Sequence, residues 1–273
     1  MQILLNVLIL SVTELIYLLG ILIAAGFLLG WIESVSNRWA YQAFGKPGIM
    51  LTSVIGTPVH ELGHALMCLI FGHKIISIKL LDINPSNSTF GYVNHSYNKH
   101  NLYQVSGNFF ISLGPIFSGT AAILFFMYAL EPDTFKALQK YVISAPLDSI
   151  SITDFIKWSG HSIMIVFRGI FNSGSFGAPN FWMFLLLAIC TASHIALSKE
   201  DIQNAKSGLI VTFFVMVLFN AVALLFGIET FKYVLLVAKY NIYVVSVLSV
   251  SIAFSLVTAL IMGVSYKIKR LYF

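Results

Sequence analysis

The chain has 273 residues, of which 58% are hydrophobic and only 10% are charged. Soluble domains carry about 25% charged residues, so this composition excludes an ordinary soluble domain and indicates a protein embedded in a lipid bilayer. The net charge of +5 comes without a basic cluster interleaved with aromatic residues, which argues against a nucleic-acid partner.

Long apolar segments predict how often the chain crosses the membrane. A helix of about 20 apolar residues spans a bilayer, and backbone groups in lipid must pair within the chain, which favours helices over open strands. We therefore predict an all-α polytopic protein, multi-pass and located in the cell membrane, with no indication of its oligomeric state. About six transmembrane helices are expected, over residues 3–31, 49–71, 104–130, 179–197, 198–228 and 242–265.

The first span ends at Trp31, a residue type that is enriched at membrane interfaces. Residues 33–48, ESVSNRWAYQAFGKPG, are then expected to form a short polar connection. Two cysteines, Cys68 and Cys190, lie in apolar spans. Their surroundings predict small buried side chains and not a disulfide framework.

The second span carries the sequence HELGH, which is typical of zinc sites. His60 and His64 are four residues apart, so both rings project from one helix face and can share one tetrahedral Zn²⁺ ion. Glu61 can act as the general base that activates a zinc-bound water, and Gly63 is expected to leave a groove open for a substrate backbone. Ionisable groups inside a span are costly and mark function, which favours zinc over a chance motif with core histidines.

Residues 73–103 differ from the spans around them. The segments HKIISIKLL and TFGYVNHSY are rich in Ile, Tyr and Val, and NPSNS between them has turn composition. We predict a β-hairpin-like insertion whose exposed strand edge could hold an unwound substrate by strand addition. His73, His95 and His100 lie here, and each could be a metal ligand or, as is usual in loops, a solvated side chain.

The third span contains SGNFFISLGPIFSG, whose small residues permit close helix approach. Asn108 within it could hold a substrate backbone or the transition-state oxyanion, or it could hydrogen-bond between helices. Residues 131–178 predict an amphipathic region at the membrane interface. We expect residues 1–273 to form a single membrane domain with its core at 49–228.

Two more polar residues lie in predicted spans. Glu14 in the first span could line a path for water or lie near the interface. Asn220 in the fifth span is predicted to form hydrogen bonds between helices.

Two of these segments carry a resemblance to a known family. HELGHA followed by FGHKIISIKLL resembles the site-2 proteases, which are intramembrane zinc metalloproteases, and GNFFISLGPIFSG is similar to their Gly-Pro core helix. The resemblance covers residues 54–119. It implies that His60 and His64 bind zinc, that Glu61 is the base, and that the partner is a transmembrane protein substrate whose peptide bonds are cleaved in or near the membrane.

The third ligand of that family is an aspartate in an Asn-Pro…Leu-Asp-Gly motif, which this chain lacks. The nearest segment is CTASHIALSKEDIQNAKSGL, residues 190–209, where Asp201 and His194 are the candidate metal ligands. Asp201 also has the spacing of a capping box with Ser198, and His194 would equally suit a pore or an interface. One of the two could bind the metal while the other supports it.

The predicted function is hydrolysis of membrane-protein peptide bonds by an intramembrane zinc metalloprotease. One alternative is a metalloprotease of the prenyl-protein endopeptidase type, which uses a glutamate as third ligand, so Glu200 would compete with Asp201. Another is a transporter or scaffold that retains a metal site. The presence of Glu61 argues against a pure scaffold, because a structural zinc needs no base.

Overall fold

The computed structural model describes residues 2–84, 89–144, 152–172 and 175–272. Over these residues the chain is mostly helical, with a single turn of 3₁₀ helix at Ser175–Gly177 and one small sheet. In chain order the other elements are α1 (Gln2–Phe44), α2 (Lys46–Ile70), β1 (Lys74–Lys79), β2 (Tyr92–Ser96), α3 (Leu102–Ser112), α4 (Gly114–Leu130), α5 (Pro132–Ser144), α6 (Ile152–Ile170), α7 (Pro179–Ala192), α8 (Lys199–Leu225), α9 (Thr230–Ala238) and α10 (Asn241–Tyr272).

Three helical stretches among the described residues are long and apolar enough to cross a membrane. They are α1, α8 and the stretch Thr230–Tyr272, which comprises α9 and α10. The pair α3 and α4 makes a fourth if it forms one bent span. These helices support a helical membrane protein, but the predicted count of six is not confirmed. Helix α7 has only 14 residues, fewer than the roughly 20 that a span needs, and the polar HELGH residues interrupt the apolar sequence of α2.

Helix α1 is much longer than predicted. It continues for 43 residues, so the expected polar connection at 33–48 is wrong and is helical as far as Phe44. At 1.5 Å per residue the helix is about 65 Å long, roughly twice the hydrocarbon thickness of a bilayer. Its last carbonyl groups are bonded by α10, because Lys269 Nζ donates to the backbone oxygens of Gln42 at 3.2 Å and Ala43 at 3.0 Å.

The predicted third span is broken in its middle. Helix α3 ends at Ser112, α4 begins at Gly114, and their axes are bent by 52°. Pro115 explains the break, because it has no N–H to bond the carbonyl of Ile111 four residues earlier and its ring disfavours a continuous helix. The bend places the end of α3 beside the HELGH turn of α2.

Gly63 does not border an open groove, contrary to the sequence prediction. Any side chain at Gly63 would collide with the carbonyl of Gly114, and one at Gly114 would collide with the backbone of Gly63. The two glycines thus let α2 and α4 touch backbone to backbone. This contact fixes the position of HELGH relative to the bend.

Strands β1 and β2 form a two-stranded antiparallel sheet in which Lys74 lies opposite Ser96 and Lys79 opposite Tyr92. The turn that was predicted between them includes residues 85–88, which are outside the described residues. The sheet is therefore observed, and the complete β-hairpin stays a prediction.

The predicted interfacial region contains two helices, α5 and α6, that pack on each other. Helix α6 also packs on α10, where Ser246 Oγ donates to Ser162 Oγ at 2.7 Å. Val166 and Ile170 of α6 are fully buried in the main core. Its position at a membrane interface stays a prediction. The main core also takes side chains from α1, α3, α4, α5, α7 and α10.

A second polar contact lies between α1, α8 and α9. Glu14 is only 1% exposed, and its two carboxylate oxygens accept hydrogen bonds from Asn220 Nδ2 and Thr230 Oγ1, both at 2.7 Å. Asn220 Nδ2 also lies 2.9 Å from Ser11 Oγ. The prediction that Asn220 bonds between helices is confirmed, and Glu14 is its main partner.

Candidate metal centre

The HELGH turn brings two imidazoles together on one face of α2. The Nε2 atoms of His60 and His64 are 3.1 Å apart. Asp201 at the start of α8 faces them, with Oδ1 at 3.4 Å from His64 Nε2 and Oδ2 at 4.0 Å from His60 Nε2. Two donors bound to a tetrahedral zinc at 2.0–2.1 Å stand roughly 3.3 Å apart. The spacing of the three groups therefore suits a single ion.

Both imidazoles are oriented by backbone carbonyl groups. His60 Nδ1–H donates to the oxygen of His194 at 2.7 Å, and His64 Nδ1–H donates to the oxygen of Ile111 at 2.8 Å. A neutral imidazole carries one proton, so these bonds leave a lone pair on each Nε2 atom. Two such lone pairs facing each other at 3.1 Å repel unless a metal ion or an added proton lies between them.

The second of these carbonyls shows how the fold shapes the site. In a continuous helix the oxygen of Ile111 would bond to the N–H of residue 115. Pro115 has no such N–H, so the oxygen is available to His64. The Gly-Pro segment of the sequence thus orients a candidate metal ligand that lies about fifty residues earlier in the chain.

Asp201 forms the capping contact that the sequence suggested, and its carboxylate also faces the two imidazoles. Its N–H donates to Ser198 Oγ at 3.0 Å, and its Oδ2 accepts from the Ser198 N–H at 2.8 Å and from the hydroxyl at 2.7 Å. This is a complete capping box at the start of α8. Because Oδ2 is held by the cap, Oδ1 is directed toward His64. The capping contact therefore orients the candidate ligand.

The ring of His194 lies outside this group. Its Nε2 is 3.0 Å from Thr52 Oγ1, and its Nδ1 is 3.6 Å from Glu33 Oε1. The structure brings only the backbone oxygen of His194 to the site, where it bonds His60. The Asp201 carboxylate, and not the His194 ring, lies beside the two imidazoles. The Glu33 contact was missed because residue 33 was assigned to a connection and not to the end of a long helix.

A cavity of about 380 Å³ opens beside the three groups. Glu61 lines it and is 7% exposed, next to the histidines that it would serve. Gly91, which precedes β2, approaches Glu61 so closely that a Cβ atom there would lie 2.8 Å from Glu61 Cγ. One wall of the cavity is therefore strand β2, through Tyr92, Val93, Asn94 and His95.

Asn108 of α3 also lines this cavity. Its Nδ2 donates to Ser207 Oγ of α8 at 3.2 Å, so the predicted contact between helices is present. Its action on a substrate stays a prediction. Glu200 lines the same cavity as an exposed residue, but the described group that could hold an ion contains Asp201 and not Glu200.

The three histidines of the insertion have different surroundings. His100 is exposed, as expected for a loop, and His95 is half-buried. His73 is only 4% exposed, so the expectation of a solvated side chain is wrong for this residue. The strand pairing that brings His95 to His73 could not be read from the spacing of these residues.

Comparisons of the chain with protein-family models, with curated proteins and with solved structures found no match. The resemblance to site-2 proteases consequently rests on the quoted sequence segments. The functional interpretation rests on the geometry around His60, His64 and Asp201.

Proposed function

We propose that the chain is a zinc-dependent membrane metallopeptidase of the site-2 protease type, acting on transmembrane protein substrates. One observation supports this most directly. The lone pairs of His60 and His64 converge with Asp201 Oδ1 on a cavity that Glu61 also lines. Two imidazoles and one carboxylate are a common ligand set for catalytic zinc, which leaves a further position open.

Each protein group has a defined part in peptide hydrolysis. When bound, zinc would polarise a peptide carbonyl and make water a better nucleophile at neutral pH. Glu61 accepts the proton of the attacking water and delivers it to the departing amine. A C–O bond forms as the C–N bond of the peptide breaks. The carbonyls of His194 and Ile111 hold the two imidazoles in the tautomer that this chemistry needs.

Strand β2 offers a way to hold the substrate. A helical substrate hides its peptide bonds within its own hydrogen bonds, so it must unwind before cleavage. Strand β1 pairs with one edge of β2, and the cavity wall includes β2 residues from Tyr92 to His95. Addition of the unwound segment as a further strand would present an extended peptide bond beside Glu61.

Two measurements test the proposal together. Metal content is determined by mass spectrometry on detergent-solubilised wild type and on the His60→Ala, Asp201→Ala and Glu61→Gln variants. In parallel, membranes from cells that express wild type or Glu61→Gln are searched for new protein N-termini within apolar segments.

The expected result separates binding from catalysis. His60→Ala and Asp201→Ala each lose one equivalent of zinc relative to wild type, whereas Glu61→Gln keeps its metal and produces none of the new N-termini. Identical N-termini from wild type and Glu61→Gln would overturn the proposal. Full biological activity of Glu61→Gln would instead favour a transporter or scaffold with a metal site.

A further inference from the structure

One helical turn beyond His64, the helix that carries HELGH has another potential metal ligand, Cys68, on the same face. His60, His64 and Cys68 follow one another at intervals of four residues, so they lie along one face of α2 with about 6 Å of rise between neighbours. The first two face Asp201. Cys68 is fully buried at 0% exposure, and two other histidines surround it.

The donor atoms of Cys68, His73 and His95 all lie within 4.8 Å of one another. The Nδ1 atoms of His73 and His95 are 3.0 Å apart. His73 Nε2–H donates to the backbone oxygen of Gln104 at 2.7 Å, so His73 Nδ1 presents a lone pair toward the other two side chains. The ring of Tyr97 stacks on His73 with centroids 4.9 Å apart, which helps to fix the ring plane.

The backbone also holds this cluster together. The N–H of His73 donates to the carbonyl of Cys68 at 2.8 Å, so the end of α2 turns back and places the two side chains side by side. His95 arrives from β2 through the strand register, in which it lies opposite Ile75. Three separate segments thus converge on one buried point.

We propose that Cys68, His73 and His95 form a second metal site that binds Zn²⁺ through one thiolate and two imidazoles. Cysteine sulfur and histidine nitrogen are standard zinc donors, and a thiolate selects soft, thiophilic cations over Mg²⁺ or Ca²⁺. A bound cation also compensates the thiolate charge, which would otherwise be costly in a buried position. This inference does not depend on the proposed protease activity.

The position of the site suggests what the second ion does. It joins Cys68 near the end of α2, His73 directly before β1, and His95 of β2. His95 also lines the cavity beside Glu61, so the ion would fix β2 as a wall of that cavity. Loss of the second ion should therefore loosen β2 without emptying the site at His60, His64 and Asp201.

Cobalt substitution distinguishes the two sites, because only the second contains sulfur. The full-length protein in detergent is loaded with Co²⁺ and its near-ultraviolet spectrum is recorded for a sulfur-to-cobalt charge-transfer band. Wild type is expected to bind two equivalents of metal and to show the band. Cys68→Ser should lose one equivalent and the band, and His95→Ala provides a second variant if Cys68→Ser does not fold.

Two control variants make the assignment specific. Cys190→Ser changes the other buried cysteine, which belongs to neither cluster, and should keep both equivalents and the band. Asp201→Ala should lose one equivalent and keep the band. Absence of the band in loaded wild type, or its persistence in both Cys68→Ser and His95→Ala, overturns the second site and leaves a plain hydrogen bond between His73 and His95. If Asp201→Ala removes the only bound equivalent, the second site fails while the proposed function stands.

Discussion

Two buried carboxylates in this protein lie between helices in opposite kinds of surroundings. Glu14 has both oxygens bonded by protein donors, the amide of Asn220 and the hydroxyl of Thr230. Asp201 directs Oδ1 toward the Nε2 lone pair of His64. In the first cluster donors meet both oxygens of the Glu14 carboxylate, so this carboxylate needs no further partner. In the second cluster, with both imidazoles neutral, acceptors meet acceptors, and a bound metal ion or an added proton would stabilise the arrangement.

The comparison shows that polarity within an apolar segment does not by itself identify a functional site. Both carboxylates are expensive to bury, and both would be marked as functional by a rule based on membrane position. The two carboxylates differ in what faces them: hydrogen-bond donors face Glu14, whereas the Nε2 atoms of two histidines face Asp201. Glu14 holds α1, α8 and α9 together, whereas Asp201, His60 and His64 form a group that could hold a metal ion.

The largest expected effect is on catalysis at the metal cluster. Replacing Glu61 by Gln removes the proposed general base and should reduce the proposed substrate cleavage by about 10²- to 10⁴-fold. The metal content should stay at the wild-type value, because Glu61 is outside the ligand group. Cleavage is followed by mass spectrometry of a substrate identified from the N-terminal survey. A parallel loss of metal would mean that Glu61 is a ligand and not a base.

Substitution of Asp201 tests whether its two contacts can be separated. Asp201→Ala removes both the candidate ligand and the carboxylate acceptor of the capping box. It should lose one metal equivalent, and the lost capping hydrogen bonds should cost about 1 kcal/mol of stability. Asp201→Asn keeps an acceptor for Ser198 and should retain most of the stability while binding metal more weakly. Metal content and thermal unfolding are measured on the same detergent preparations. Wild-type metal content in both variants would remove Asp201 from the site.

Substitutions of Glu14 are expected to lower stability without changing metal content, the opposite of the main effect expected at Asp201. Glu14→Ala leaves the buried Thr230 hydroxyl without this acceptor, which should cost about 1–3 kcal/mol. Glu14→Gln keeps one acceptor oxygen and should cost less. Neither variant should change the metal content, because the donors to Glu14 among the described residues lie on α8 and α9 and not on the HELGH turn. The comparison between the two clusters fails if Glu14→Ala releases metal.

The sequence predicted the local part of the site and missed the parts that depend on distant segments. A spacing of four residues places His60 and His64 on one helix face wherever the helix lies. The contact of Glu33 with His194 required α1 to continue past Trp31, and polar residues there suggested a loop. The approach of His95 to Cys68 required a strand register that no residue spacing encodes.

The predicted count of six spans is not confirmed, for a related reason. Apolar windows measure composition, so they did not reveal that the chain bends by 52° between α3 and α4, where Pro115 lies. They also counted α7, whose 14 helical residues are too few. The resemblance to site-2 proteases provided Asp201 as a candidate, but it did not reveal that the capping box directs the carboxylate.

The smallest expected effect concerns His194, which the sequence offered as a ligand. His194→Ala removes a ring that contacts Thr52 and Glu33 but keeps the backbone oxygen that bonds His60. Mutation of a residue that hydrogen-bonds directly to a metal ligand typically lowers metal affinity by about 10- to 100-fold. Since this ring bonds neither histidine of the pair, zinc affinity should fall by less than about tenfold. Competition with a chelator of known zinc affinity measures the change, and loss of a full equivalent would place the His194 ring among the ligands after all.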